Sequence, residues 1–86
     1  LLDSNNKIYL KKQSFTIKKE EQYGDYVSLL PFCEKVTGLT LKGFKYPLNN
    51  ITYMTGSSLG ISNVITEKIG VIEISDGILL VNETRD

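Results

Sequence analysis

Ile8 and Leu10 alternate with Lys7, Tyr9 and Lys11 near the start of the chain, the period-two pattern of a half-buried strand. Phe15-Thr16-Ile17-Lys18 repeats the alternation, and the polar stretch from Lys11 to Ser14 reads equally as a turn or as a bulged continuation of one strand. A different period follows. Leu29, Phe32, Cys33 and Val36 stand at i, i+3, i+4 and i+7, the spacing of one helix face. Ser28 is placed to accept a hydrogen bond from a free N–H of the first turn, and Val27 to pack on Phe32 across the cap. Pro31 falls at the third helical position, where its missing N–H costs nothing, and Gly38 offers the left-handed stop. The spacing therefore predicts a helix over residues 29–37. Starting it at Asp25 instead would put Pro31 mid-helix, at a cost of about 3 kcal/mol.

Beyond this segment the period returns to two. Leu39-Thr40-Leu41 alternates, the phase slips at Gly43 so that Phe44 and Tyr46 take over the apolar role, and turn residues fill Pro47-Leu48-Asn49-Asn50 before Ile51-Thr52-Tyr53-Met54. Residues 39–55 read as a hairpin with a bulge at Gly43. Gly56-Ser57-Ser58-Leu59-Gly60 reads as a loop. The apolar runs 69–74 and 78–81 flank Ser75-Asp76-Gly77, and Asp-Gly favours the positive φ of a tight hairpin turn. Both runs are apolar on both faces, which places this 69–82 hairpin at the centre of a sheet.

The expected fold class is therefore α+β: a mostly antiparallel sheet or partial barrel of five to six strands, one short helix over 29–37, and the central C-terminal hairpin over 69–82. One helix that short cannot cover both faces of such a sheet, which predicts either closure of the sheet or a partner chain. Composition agrees with a sheet. The chain has no Ala, the best helix former, while Ile, Val, Thr, five Tyr and three Phe supply strand-favouring side chains. Its 86 residues make one small domain over 1–86, either whole or part of a longer chain, since the sequence opens Leu1-Leu2-Asp3 without Met.

The missing residue types narrow the chemistry. With no His and one Cys there is no His-assisted nucleophile, no mixed Cys/His metal site and no internal disulfide. Cys33 reads as a small buried hydrophobe. Glu20, Glu21, Asp25 and Glu34 read as a solvated acidic face rather than an acid–base pair, and Asp76-Gly77 lacks the rest of a calcium loop. The segment Thr55–Gly60 resembles a phosphate loop only in its glycines, for Ile61 stands where Lys is needed. No catalytic, cofactor-binding or metal-ligating set can be assembled, so the chain is expected to be neither an enzyme nor a cofactor protein. No apolar run approaches the roughly 20 residues that span a bilayer, and no export signal is visible, which favours a cytoplasmic location without membrane contact.

Ten Lys+Arg balance ten Asp+Glu, but in blocks: +4 over residues 1–19, −4 over 20–34, +3 over 35–45 and −3 over 46–86. Two surfaces follow. Phe44, Tyr46 and Tyr53, rimmed by Lys42 and Lys45, have the aromatic-rich composition of a protein interface, and equally that of a core wall. Lys7, Lys11 and Lys12 with Tyr9 and Phe15 interleaved have the composition of a single-stranded nucleic-acid surface, and equally that of an edge strand guarded by lysines. The leading expectation is a non-enzymatic protein-interaction module or small assembly subunit that binds a protein partner or itself. Nucleic-acid binding through the basic N-terminal strand is the alternative.

Overall fold

Among the residues described by the computed structural model, 4–56 and 61–85, the regular structure is strand apart from a single 3-10 turn at Lys19–Glu21. The strands are β1 (Asn6–Lys11), β2 (Phe15–Lys18), β3 (Tyr26–Pro31), β4 (Lys35–Lys42), β5 (Leu48–Met54), β6 (Ile61–Asn63), β7 (Ile69–Glu73) and β8 (Leu79–Thr84). They form two four-stranded sheets, ordered β1-β8-β3-β6 and β2-β7-β4-β5, with every pairing antiparallel. The expected α+β fold is thus corrected to an all-β sandwich.

The two sheets share one plan. The pairs β1/β2, β8/β7, β3/β4 and β6/β5 occupy the same rank in each sheet, so the sandwich is four long bent arms lying side by side. Three arms turn their corners at residues 12–14, 74–78 and 32–34, and the bends are stitched together. The Ser14 hydroxyl accepts the Ile74 N–H at 3.0 Å, and the Phe32 N–H donates to the Ile78 carbonyl at 2.8 Å. The fourth bend begins at Thr55, whose N–H donates to the Glu34 carbonyl at 2.9 Å and whose hydroxyl donates to the Cys33 carbonyl. Residues 57–60 of the expected glycine loop lie outside the described residues. Folding the arms over encloses Val27, Leu29, Val36, Leu39, Leu41, Ile65, Ile72, Leu79 and Val81, each fully buried. The Tyr53 hydroxyl crosses between sheets to donate to the Leu29 carbonyl at 3.0 Å.

The expected helix over 29–37 is replaced by the end of β3, a corner, and the start of β4. Helical and strand readings both bury Leu29 and Val36; they part at Phe32, which is 56% exposed. Nine residues make a helix of marginal stability in isolation, whereas extended backbone here finds ready ladders on β8 and β7. Gly38 does take a left-handed φ of +66°, but as the site of a register shift between β4 and β5 rather than a helix stop. Gly43, at φ +78°, lies one residue past β4, and the recorded register shifts fall upstream of it.

The expected 69–82 hairpin is likewise corrected: β7 and β8 never pair with each other. A tight Asp-Gly hairpin turn needs positive φ at both central residues. Here Asp76 is not left-handed, and Gly77 adopts φ +113°. The chain rounds a corner into the opposite sheet, where β7 and β8 are each an interior strand.

Candidate functional site

Past Gly43 the chain no longer follows the sheet. Phe44 bridges to Ile65, the Lys45 N–H donates to the Val64 carbonyl at 2.8 Å, and the Thr66 N–H donates to the Gly43 carbonyl at 2.9 Å. Asn63, 2% exposed, completes the join. Its carboxamide oxygen accepts the Tyr46 N–H at 2.9 Å and the Val64 N–H at 3.1 Å, while its nitrogen donates to the Tyr46 carbonyl at 2.7 Å. The side chain thus acts as a strand partner for one residue, fixing the Tyr46 backbone from both sides. With its backbone held, the Tyr46 ring stands 58% exposed, and the Lys45 ammonium lies 5.5 Å from the ring centroid. Leu48, Ile61 and Ser62 complete the lining of a cavity of about 210 Å³ beside the ring.

The aromatic trio expected as one surface is therefore divided. Phe44 and Tyr53 are buried in the core, and Tyr46 is left at the surface beside Lys45. Lys42 sits elsewhere, on β4, paired with Glu73 at 3.5 Å. Asn63 escaped sequence reasoning. The available signal was its position between Ile61 and Ile65, in phase with residues that face inward.

The basic strand builds another cavity, about 420 Å³, at the open edge between β1 and β2. Lys7, Lys11 and Lys18 stand among its lining residues. Tyr9 and Phe15 meet edge to face at 6.2 Å, with the Lys11 ammonium 5.3 Å from the Phe15 centroid. Lys12 lies at the first corner, among the residues lining a third cavity that includes Cys33. Cys33 is half-buried, its sulfur accepting the Ile78 N–H at 3.2 Å, so the thiol serves the corner.

Glu83, buried beneath the basic cavity, accepts the Tyr9 hydroxyl at 2.6 Å and the Tyr23 N–H at 2.9 Å. Burial, the hydrogen bond to Glu83 and the charge of Glu83 together push the Tyr9 phenol far above its ordinary value of 10. In the unfolded chain Tyr9 ionises near pH 10, whereas in the folded protein it keeps its proton. Unfolding above that pH therefore releases a proton, and stability falls as pH rises. Replacing Tyr9 by Phe should remove about one proton's worth of that slope, read from urea midpoints between about pH 9 and about pH 11.5. Parallel curves for the two proteins would show that folded Tyr9 ionises normally.

Among the described residues no cluster of His, Cys, Asp and Glu could hold a metal ion. Residues 12–79 match the family described as thiamin pyrophosphokinase, vitamin B1 binding domain. The chain belongs to this family. It is 39% identical over 87 residues to the thiamine pyrophosphokinase of Bacillus subtilis (strain 168), an alignment covering all of this chain and 40% of that protein. Crystal structures agree. Thiamine pyrophosphokinase from Bacillus subtilis superposes with a TM-score of 0.90 at 38% identity, and thiamin pyrophosphokinase from Geobacillus thermodenitrificans with 0.91 at 35%. Each match covers 99% of this chain and 40% of the other.

Membership of the vitamin B1 binding domain family overturns the expectation of a non-enzymatic interaction module, and the nucleic-acid alternative with it. The expectation that the chain is no enzyme is corrected in the same way, since the relatives it matches are thiamine pyrophosphokinases, of which it spans 40%.

Proposed function

We propose that this chain is the thiamin-holding part of a thiamin pyrophosphokinase, with Tyr46 as the platform for the vitamin. The observation that carries the reading is an aromatic ring left open to solvent on backbone clamped by the buried Asn63. Thiamin joins a planar aminopyrimidine to a cationic thiazolium bearing a hydroxyethyl arm. A planar heterocycle stacks on the free face of Tyr46, Leu48 and Ile61 offer apolar contact, and the Ser62 hydroxyl offers a hydrogen-bond partner.

The other cavities suit the vitamin less well. Lys7, Lys11 and Lys18 at the basic cavity repel a thiazolium, and five of its ten lining residues lie outside the span matched by the family. The cavity of about 670 Å³ beside the 3-10 turn contains no aromatic ring and is lined largely by charged side chains. At about 210 Å³ the Tyr46 cavity is smaller than the roughly 300–1,000 Å³ of most complete ligand sites. It is one wall, and the chain spans only 40% of the relatives it matches, so the remaining walls and the pyrophosphoryl donor belong to the rest of a longer enzyme. In that enzyme, the contribution of this chain is to fix the ring so that the hydroxyl arm is delivered in one orientation to the transfer step.

Calorimetric titration with thiamin tests the assignment. Tyr46→Ala should weaken binding about tenfold, or ~1.4 kcal/mol, and Tyr46→Phe should leave it nearly unchanged, because the ring and not the hydroxyl is used. Unaltered affinity in Tyr46→Ala, with a loss in Phe15→Ala, would move the site to the basic cavity.

A further inference from the structure

We propose that the basic cavity at the β1/β2 edge binds a small anion carrying two linked phosphates, a site that does not rest on the Tyr46 assignment. β1 and β2 are the edge strands of their sheets, so the mouth of the sandwich stays open between them. Lys7, Tyr9 and Lys11 pair with Glu83, Val81 and Leu79, all three buried, which puts both lysines on the inward face of β1. Lysines at core-facing positions need a reason. An edge strand can use inward charges to discourage pairing with another sheet, and such a guard displays its ammonium to solvent at the edge. These two lie over aromatic rings instead. Their Cα atoms stand about 13 Å apart along the strand. Yet the Lys7 ammonium lies 5.6 Å and the Lys11 ammonium 6.0 Å from the same Tyr9 centroid, and Lys11 also reaches Phe15. Lys18 of β2 lines the opposite lip.

No acid of the chain claims these charges. Among the described residues Lys7, Lys11 and Lys18 form no ion pair. Glu83 cannot rise to meet them: it is 3% exposed, and its two oxygens are taken by the Tyr9 hydroxyl and the Tyr23 N–H. Glu21, exposed on the 3-10 turn, is the other acid of the lining. Contact with the rings holds the Lys7 and Lys11 ammoniums at the cavity before a ligand arrives, so less side-chain freedom is lost on binding. A single phosphate meets the charges of one lip, whereas two linked phosphates reach both. Lysines suit that task, because a point charge donates to phosphate oxygens in many orientations. At about 420 Å³ the cavity has the size of a small-ligand site. The Tyr46 cavity opens at the opposite edge of the sandwich, where Leu48 of β5 and Ile61 of β6 line it, so vitamin and anion do not compete.

Titration of the chain with inorganic pyrophosphate, without divalent metal and followed by amide chemical shifts, provides the test. Saturable shifts should centre on residues 7–18 with a Kd below about 1 mM, and affinity should fall as salt is raised. Lys7→Met with Lys11→Met keeps the apolar stems over the rings and should weaken binding at least about tenfold, with the remaining amide spectrum unchanged. Lys42→Met, which removes the ammonium paired with Glu73, should leave binding intact. Methyl diphosphate distinguishes an esterified ligand from the free anion: the tighter of the two names the source, and either supports the site. No saturation by about 10 mM, an equal loss in Lys42→Met, or displacement of pyrophosphate by thiamin overturns the proposal. Shifts centred on Lys19 and Lys68 would overturn it in favour of the cavity beside the 3-10 turn.

Discussion

Replacing Asn63 by Ala should cost about 2–4 kcal/mol of stability and reduce thiamin affinity by as much as the roughly tenfold expected for loss of the Tyr46 ring itself. The carboxamide makes three hydrogen bonds to backbone groups of Tyr46 and Val64 in a place water barely reaches. Deleting it leaves two N–H donors and a carbonyl to be satisfied elsewhere, and each unsatisfied buried group costs roughly 1–3 kcal/mol. The chain can recover part of that by pulling Tyr46 away from β6, which admits water. That relaxation connects stability to function, because it abandons the ring position on which the vitamin stacks. Urea unfolding and thiamin titration should both place Asn63→Ala below the wild type. Full affinity in a destabilised Asn63→Ala would detach the clamp from the site.

How much of this could be seen in the sequence depended on whether a residue's neighbours in space were also its neighbours in the chain. The half-buried strands at Ile8–Leu10 and Phe15–Ile17, and the pairing of β4 with β5, follow from local alternation and a local turn. The helix expectation failed because Leu29 and Val36 satisfy both periods, and the residue that separates them, Phe32, is an apolar side chain left in solvent at a corner. What decided the matter was the ladder offered by β8, more than forty residues downstream. The apolar character of both faces of β8 pointed to a central hairpin with β7, whereas β8 is an interior strand of the opposite sheet with only one face buried. It could not say that Leu80 faces outward. At the site, Tyr46 and Lys45 were among the candidates because aromatics beside lysines draw attention on composition alone. Phe44 and Tyr53 were grouped with them, since Phe44 and Tyr46 share one period-two phase and only the chain's departure from the sheet past Gly43 separates the core ring from the exposed one. Asn63 carried no local signal of comparable strength, because its role is to replace a strand partner for a segment 17 residues away.

Asp76-Gly77 was the most misleading pair, and it supports the other large prediction. In a hairpin turn Gly77 would occupy the compact left-handed region, where Ala is strained by roughly 1–2 kcal/mol. At φ +113° it lies well outside that region, and a Cβ placed on it would stand 2.7 Å from the Lys35 carbonyl oxygen and 2.9 Å from the Val36 Cα. Both are backbone atoms of β4, tied in turn to this corner through the Thr37 and Asp76 bridge. They cannot swing aside as a side-chain tip could. Gly77→Ala should therefore add overpacking to backbone strain and cost about 3–5 kcal/mol. For a domain of this size that lowers Tm by roughly 15–25 °C and consumes much of the stability available. Gly56→Ala is the internal control. Gly56 also has positive φ, +84°, but a Cβ there meets nothing within 4 Å, so only the strain of roughly 1–2 kcal/mol applies. Thermal unfolding of the two variants side by side should show Gly77→Ala losing two to three times as much. Equal losses would mean that the corner yields, and that the close approach of β4 to the 74–78 bend is not what holds the two sheets at their crossing.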